Sequence, residues 1–90
     1  MLDLQYSSKF KKDYKAIIKR GYNPKLLEDI LTILCAEQSL PPRCRDHQLH
    51  GNYEGHRECH ITPDWLLIYK IEQNILTLTL TRTRTYSDLF

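Results

Sequence analysis

The sequence predicts an α+β domain: an N-terminal strand, an antiparallel helical hairpin, then a curved and mainly antiparallel sheet. Three observations carry this. Leu2, Leu4 and Tyr6 alternate with Asp3 and Gln5, the period of a half-buried strand. Two amphipathic stretches follow, divided only by Gly21-Tyr22-Asn23. After Pro41-Pro42 the period changes to two, and Leu76, Leu78 and Leu80 alternate with Thr77, Thr79 and Thr81. A strand, two helices and then a run of strands places the helices on one face of a sheet.

Each element has a local cause. Ser7 or Ser8 offers an N-cap, and Phe10, Tyr14, Ile17 and Ile18 recur at helical spacing, so a helix is expected over 8–20. Gly21 stops it. Asn23 caps the next helix and Pro24 occupies its first turn; Leu26, Leu27, Ile30, Leu31 and Leu34 then form one apolar stripe to about Ala36. The short connection implies an antiparallel pair, and Pro41-Pro42 ends the helical section. Extended segments are expected over 45–49, 55–61, 65–71 and 75–83, the last two joined by Glu72-Gln73-Asn74.

Ninety residues, 41% of them apolar, suit one domain spanning 1–90 and argue against long disordered tracts. A chain this small buries roughly 60–65% of its unfolded surface, so a stabilising partner is expected. The net charge is only +2, but between Ser8 and Arg20 six cations (Lys9, Lys11, Lys12, Lys15, Lys19 and Arg20) meet the single anion Asp13. That patch fits a polyanion or an acidic partner, and equally a solvated helix face. Cys35, Cys44 and Cys59 are odd in number and irregularly spaced, no apolar run approaches the roughly 18 residues of a membrane span, and no signal-peptide pattern opens the chain. These features predict a reduced, cytoplasmic protein with no membrane contact.

The chemistry is concentrated between Asp46 and Tyr69, which hold His47, His50, His56, His60, Asp64 and the only tryptophan, Trp65. A zinc site built with Cys44 and Cys59 is one reading, although the spacing fits no standard zinc framework. General acid–base or phosphate-binding histidines are another, and surface histidines a third, best suited to His50 and His56 beside Gly51 and Gly55. Asp64 either closes the turn after Pro63 or orients a histidine or arginine. Trp65 suits core packing or base stacking. On a final strand without a bulge, Arg82, Arg84 and Tyr86 continue the side taken by the leucines. Two guanidiniums and a phenol there would suit a phosphate and a proton-transfer group.

The string His47-x-Leu49-x-Gly51-x-x-x-Gly55-x-Arg57-x-x-His60-x-x-Pro63-Asp64-Trp65-Leu66-Leu67-Ile68-Tyr69, with the ending Arg82-Thr83-x-Thr85-x-Ser87-Asp88-Leu89-Phe90, closely resembles the YafQ branch of the RelE/ParE toxin superfamily. The likeness covers nearly the whole chain. It implies a RelE-like fold and a type II toxin: a ribosome-dependent endoribonuclease that cuts mRNA in the ribosomal A site without a cofactor or metal. A cognate antitoxin, a DinJ/RelB-like ribbon-helix-helix protein, would neutralise it. The resemblance implies site roles for His47, His60, Asp64, Trp65, Arg82 and Phe90. It departs at Tyr86, where the family carries its principal histidine, and at Arg84, where it carries glycine.

On this reading Tyr86 and His60 are the acid–base candidates, His47 is a second imidazole, and Arg82 neutralises charge developing on the phosphate. Asp64 would set a histidine tautomer or hold Arg82. Arg84 would favour ionisation of the Tyr86 phenol, which otherwise titrates near 10. Trp65, Arg84 and Phe90 would contact substrate, and Lys9, Lys11, Lys12, Lys15 and Lys19 would hold RNA through its phosphates. The alternatives are a non-catalytic ParE-like toxin acting on gyrase and a zinc-binding regulator.

Overall fold

The computed structural model describes residues 1–86, which form two helices and five strands. In chain order these are β1 (Asp3–Tyr6), α1 (Ser8–Lys19), α2 (Pro24–Cys35), β2 (His47–Gln48), β3 (Arg57–His60), β4 (Trp65–Glu72) and β5 (Thr77–Thr85). Short 3₁₀ turns occupy Pro42–Cys44, Gly51–Tyr53 and Gln73–Ile75. The strands make one sheet in the order β1-β5-β4-β3-β2. β1 runs parallel to β5, and every other pairing is antiparallel.

The helix boundaries follow their caps. Ser7 Oγ accepts the Phe10 N–H at 2.9 Å and itself donates to the Thr81 carbonyl at 2.6 Å. One hydroxyl thus starts α1 and ties it to β5. Asn23 Oδ1 accepts the Lys25 N–H at 3.0 Å to start α2. Gly21, at φ +92°, makes the turn between the helices in the left-handed region that a side chain disfavours. Phe10 and Ile17 from α1 and Leu27, Ile30 and Leu34 from α2 pack against Trp65, Leu67 and Tyr69 of β4 and Leu78 and Leu80 of β5. This is the helix-covered face of the sheet. No helix among the described residues is long and apolar enough to cross a membrane.

Two expectations fail in the last strands. β5 begins at Thr77 rather than Ile75, because Gln73–Ile75 coil into a 3₁₀ turn and Leu76 takes a left-handed φ of +49°. The second failure decides which way the basic residues face. Tyr69 lies opposite Leu80 but Ile68 lies opposite Arg82, so Thr81 is an extra residue, a β-bulge. The bulge reverses the alternation: Leu78 and Leu80 are buried before it, Thr83 and Thr85 after it. Arg82 and Arg84 therefore leave the leucine side for the opposite face. The cause lies in α1, which takes over beside β5 where β1 ends. Ser7 claims the Thr81 carbonyl, and Asp13 Oδ2 accepts the Thr83 N–H at 3.3 Å.

Candidate active site

The face away from the helices is assembled by register. His47 lies opposite Glu58, Glu58 opposite Ile68, and Ile68 opposite Arg82. In the next row but one His60 lies opposite Leu66, and Leu66 opposite Arg84. Directly opposed residues place their side chains on the same face. Two histidines, one glutamate and two arginines from three strands, β2, β3 and β5, therefore share one surface. Its floor is Leu66 and Ile68, both buried although they belong to the uncovered face. An apolar floor lowers the local dielectric and strengthens each charge interaction above it.

His47 is held at both ring nitrogens. Nδ1 lies 2.7 Å from the Arg45 carbonyl oxygen, and Nε2 lies 3.4 Å from Glu58 Oε1. An imidazolium would donate to both, a neutral ring to one, and either way the ring orientation is fixed. Glu58, largely shielded from solvent, was not among the residues singled out from the sequence. Its signal was alternation in Arg57-Glu58-Cys59-His60: Cys59 is fully buried in the core, which sends Glu58 and His60 to the other face together.

His60 and Tyr86 meet across an open cleft of about 480 Å³, lined also by Arg43, Arg45 and Pro63. Tyr86 sits just beyond β5 with its side chain half exposed, and its N–H donates to the Asp64 carbonyl at 2.6 Å. Arg43 and Arg45 were likewise missed, because the resemblance assigns them nothing and they precede the histidine cluster. A second groove, of about 430 Å³, runs between α1 and the end of β5 and brings Arg20, Arg82 and Arg84 to one border. The five lysines of α1 are all exposed.

Other predicted residues lie elsewhere. Asp64 turns its carboxylate to the helical connection, where Oδ2 accepts from the Tyr22 hydroxyl at 2.5 Å. It holds neither Arg82 nor a histidine, since β4 starts just after it and the turn aims it at α1–α2. What Asp64 does hold is Tyr86, through its main chain. Trp65 is 0% exposed, and its Nε1 donates to Thr83 Oγ1 at 2.7 Å. Tyr22 packs edge-on against its ring at 5.5 Å. Trp65 is a core residue with no free face for a base, which corrects the expectation that it stacks on RNA.

Arg82 is paired with Asp13: Nε donates to Oδ2 at 2.6 Å and Nη2 to Oδ1 at 3.0 Å. This bond to Asp13 raises the guanidinium pKa above its ordinary value, with a smaller contribution from Tyr53. Arg84, Arg43 and Arg45 have no carboxylate partner among the described residues. His50 is exposed beside Glu54 at 3.5 Å, and His56 packs edge-on against Tyr53. Phe90 lies outside the described residues.

The cysteines of the zinc reading do not join the histidines. Cys44 and Cys59 are both 0% exposed in the core cluster, and Cys59 points to the face opposite His60. Among the described residues no group of three or more His, Cys, Asp or Glu side chains is arranged to hold a metal ion.

Residues 2–90 match the family described as the bacterial toxin of the type II toxin–antitoxin system, YafQ. The chain belongs to the YafQ toxin family. It is 37% identical to the mRNA interferase toxin YafQ of Escherichia coli K12 over 89 residues, 98% of this chain and 95% of that one. A metal-bound toxin from Helicobacter pylori has the same fold, with a TM-score of 0.91 and 43% identity over the whole of both chains. YafQ in the E. coli DinJ–YafQ complex matches at a TM-score of 0.87 with 36% identity, covering all of this chain and 99% of that one.

Proposed function

We propose that this chain is an mRNA interferase toxin, a single-domain endoribonuclease of residues 1–90 that cuts mRNA in the ribosomal A site. A DinJ/RelB-like ribbon-helix-helix antitoxin restrains it, and it works in the bacterial cytoplasm. The observation that carries this reading is the cleft that His60 and Tyr86 line together with two arginines that have no carboxylate partner among the described residues, next to the His47–Glu58 pair. The E. coli relative bears the name mRNA interferase, and YafQ forms a complex with DinJ.

Cleavage of RNA without a metal needs a base, an acid and positive charge. The base removes the 2′-hydroxyl proton as that oxygen attacks the adjacent phosphorus. The P–O5′ bond breaks, and the acid protonates the departing oxygen, leaving a 2′,3′-cyclic phosphate and a 5′-hydroxyl. His60 and Tyr86 are suited to be the acid–base pair, since they flank one cleft. His47, oriented by Glu58 and the Arg45 carbonyl, supplies a further imidazole at its rim. Arg84 is the guanidinium with charge to spare for the phosphate, whereas the charge of Arg82 is met by Asp13 and serves to brace the strand end beside it. The lysines of α1 and Arg20 extend positive charge over the neighbouring helix and favour ribosomal RNA. Asp64 acts by holding Tyr86 through the main chain.

Purified protein added to ribosomes carrying a defined mRNA should yield discrete new 5′ ends in the A site, absent with His60→Ala. Growth arrest in cells with intact mRNA would overturn the nuclease reading in favour of a non-cutting toxin.

A further inference from the structure

We propose that Arg43 and Arg45 form a phosphate-binding clamp that grips the RNA chain next to the bond being cut. The proposal rests on the nuclease reading above and adds two residues to it. The segment Arg43-Cys44-Arg45-Asp46-His47 is anchored at alternate positions. Cys44 is plugged into the core at 0% exposure. Asp46 accepts from Arg57 Nε at 3.2 Å to each oxygen and from the Tyr69 hydroxyl at 2.5 Å, and Tyr69 is itself a core residue of β4. On either side of Cys44, Arg43 and Arg45 stand exposed at the cleft of His60 and Tyr86, and beyond Asp46 His47 faces Glu58. Arg45 also lines a separate groove, with Asp46, Arg57 and Tyr69.

Rigidity and charge distinguish this segment from an ordinary basic loop. Pro41 and Pro42 pre-set the backbone entering the 3₁₀ turn, which lowers the entropy lost when a ligand orders it. Arg45 is held in the left-handed region at φ +48°, ψ +43°, a costly conformation for a residue with a side chain. Its carbonyl is the acceptor for His47 Nδ1. The same residue therefore presents a guanidinium to the cleft and fixes the nearby imidazole. Arg57 and Arg82 spend their charge on Asp46 and Asp13, whereas Arg43 and Arg45 have no carboxylate partner among the described residues. Both guanidiniums line the same cleft as the acid–base pair, and arginine suits phosphate because its planar fork donates two parallel hydrogen bonds.

The test measures cleavage of mRNA on programmed ribosomes over a range of potassium chloride concentrations, for wild type, Arg43→Ala, Arg45→Ala and the corresponding lysine variants. Each alanine variant should raise KM roughly five- to tenfold and flatten the slope of log KM against log salt by about one. Arg43→Lys should restore most of that slope. Thermal unfolding should stay unchanged for the Arg43 pair, separating binding from stability. Unchanged KM and salt slope in variants of an active wild type would overturn the clamp. Should wild type not cut RNA at all, the nuclease reading fails instead, and titration of a fluorescent ten-nucleotide RNA decides the clamp. Weaker binding by both alanine variants supports it. Equal RNA affinity, with or without loss of affinity for the antitoxin, overturns it.

Discussion

Asp13 and Arg82 form a two-pronged ion pair that joins the middle of α1 to the end of β5, at 2.6 and 3.0 Å. The same carboxylate accepts the Thr83 N–H, so Asp13 stabilises the strand just after the bulge. Both side chains are only 16% exposed. Asp13→Ala should therefore cost about 2 kcal/mol, because it strands a half-buried guanidinium and a strand amide. Asp13→Asn, which keeps the acceptor, should cost less. Urea unfolding of the two variants checks the order, and equal stabilities would show that the pair does not hold the strand.

The acid–base assignment predicts large kinetic effects with little change in folding. His60→Ala and Tyr86→Phe should each slow single-turnover cleavage by about 10²–10⁴-fold, while the helical circular dichroism signal and unfolding midpoint stay near wild type. His47→Ala and Glu58→Gln should slow cleavage less, since both act from the rim. A fully active Tyr86→Phe enzyme would remove the phenol from the chemistry.

Arg84→Gly removes a guanidinium that borders the groove between α1 and the end of β5 and tests what this arginine adds. Loss of one phosphate contact should raise KM roughly five- to tenfold and flatten its dependence on salt by about one in the log–log slope, with kcat changed less. Steady-state cleavage at several potassium chloride concentrations checks this. An unchanged KM and salt slope would remove Arg84 from RNA binding.

Trp65→Ala should act on stability before it acts on RNA. It removes a fully buried ring and the hydrogen bond to Thr83, a loss of about 3–5 kcal/mol. Trp65→Phe keeps most of the packing and should retain cleavage wherever it stays folded. Selective loss of RNA binding by a stably folded Trp65→Phe would contradict the core role.

Alkali should unfold the protein by a specific route. Burial holds the Cys59 thiol and the Tyr69 phenol above their ordinary pKa values, and the hydrogen bond to Asp46 adds to the effect at Tyr69. Both groups stay protonated in the fold while the unfolded chain releases their protons, near pH 8.5 for the thiol and near 10 for the phenol. Their contribution is complete below about pH 8 and is lost progressively as the pH rises. Urea midpoints measured between pH 7 and 11 should fall in that window. Tyr69→Phe should flatten the upper part of the fall and, at neutral pH, cost about 1 kcal/mol for the bond to Asp46.

Much of the fold could be read directly. The caps at Ser7 and Asn23, the stop at Gly21 and the alternation of β4 and the first part of β5 are local signals, and each placed its element within a few residues. The site was less legible because its orientation is set from a distance. Nothing between Thr77 and Thr85 announces an extra residue; the bulge depends on Ser7 and Asp13, which lie far away in the chain. Asp64 was misassigned for the same reason, since its partner Tyr22 comes from the helical connection. Arg43 and Arg45 did carry a signal, in alternation with buried Cys44 and anchored Asp46, but it becomes visible only once the burial of Cys44 is known. Glu58 could have been paired with His60 from the buried Cys59 between them.

The parallel pairing of β1 with β5 bears on how this protein is made. Asp3 to Tyr6 find their strand partners at Thr77 to Leu80, and the Ser7 hydroxyl reaches Thr81 across 74 positions of sequence. Contacts so far apart must await synthesis of the second partner, and closing so long a loop slows folding. The helices, which emerge first, have no sheet to cover until β4 and β5 arrive. Since Arg84 and Tyr86 belong to the end of that same strand, a half-translated chain carries neither a finished core nor a finished cleft. A chain built in this order gains its cleft only after translation has passed β5, so an unfinished copy presents no assembled site to RNA.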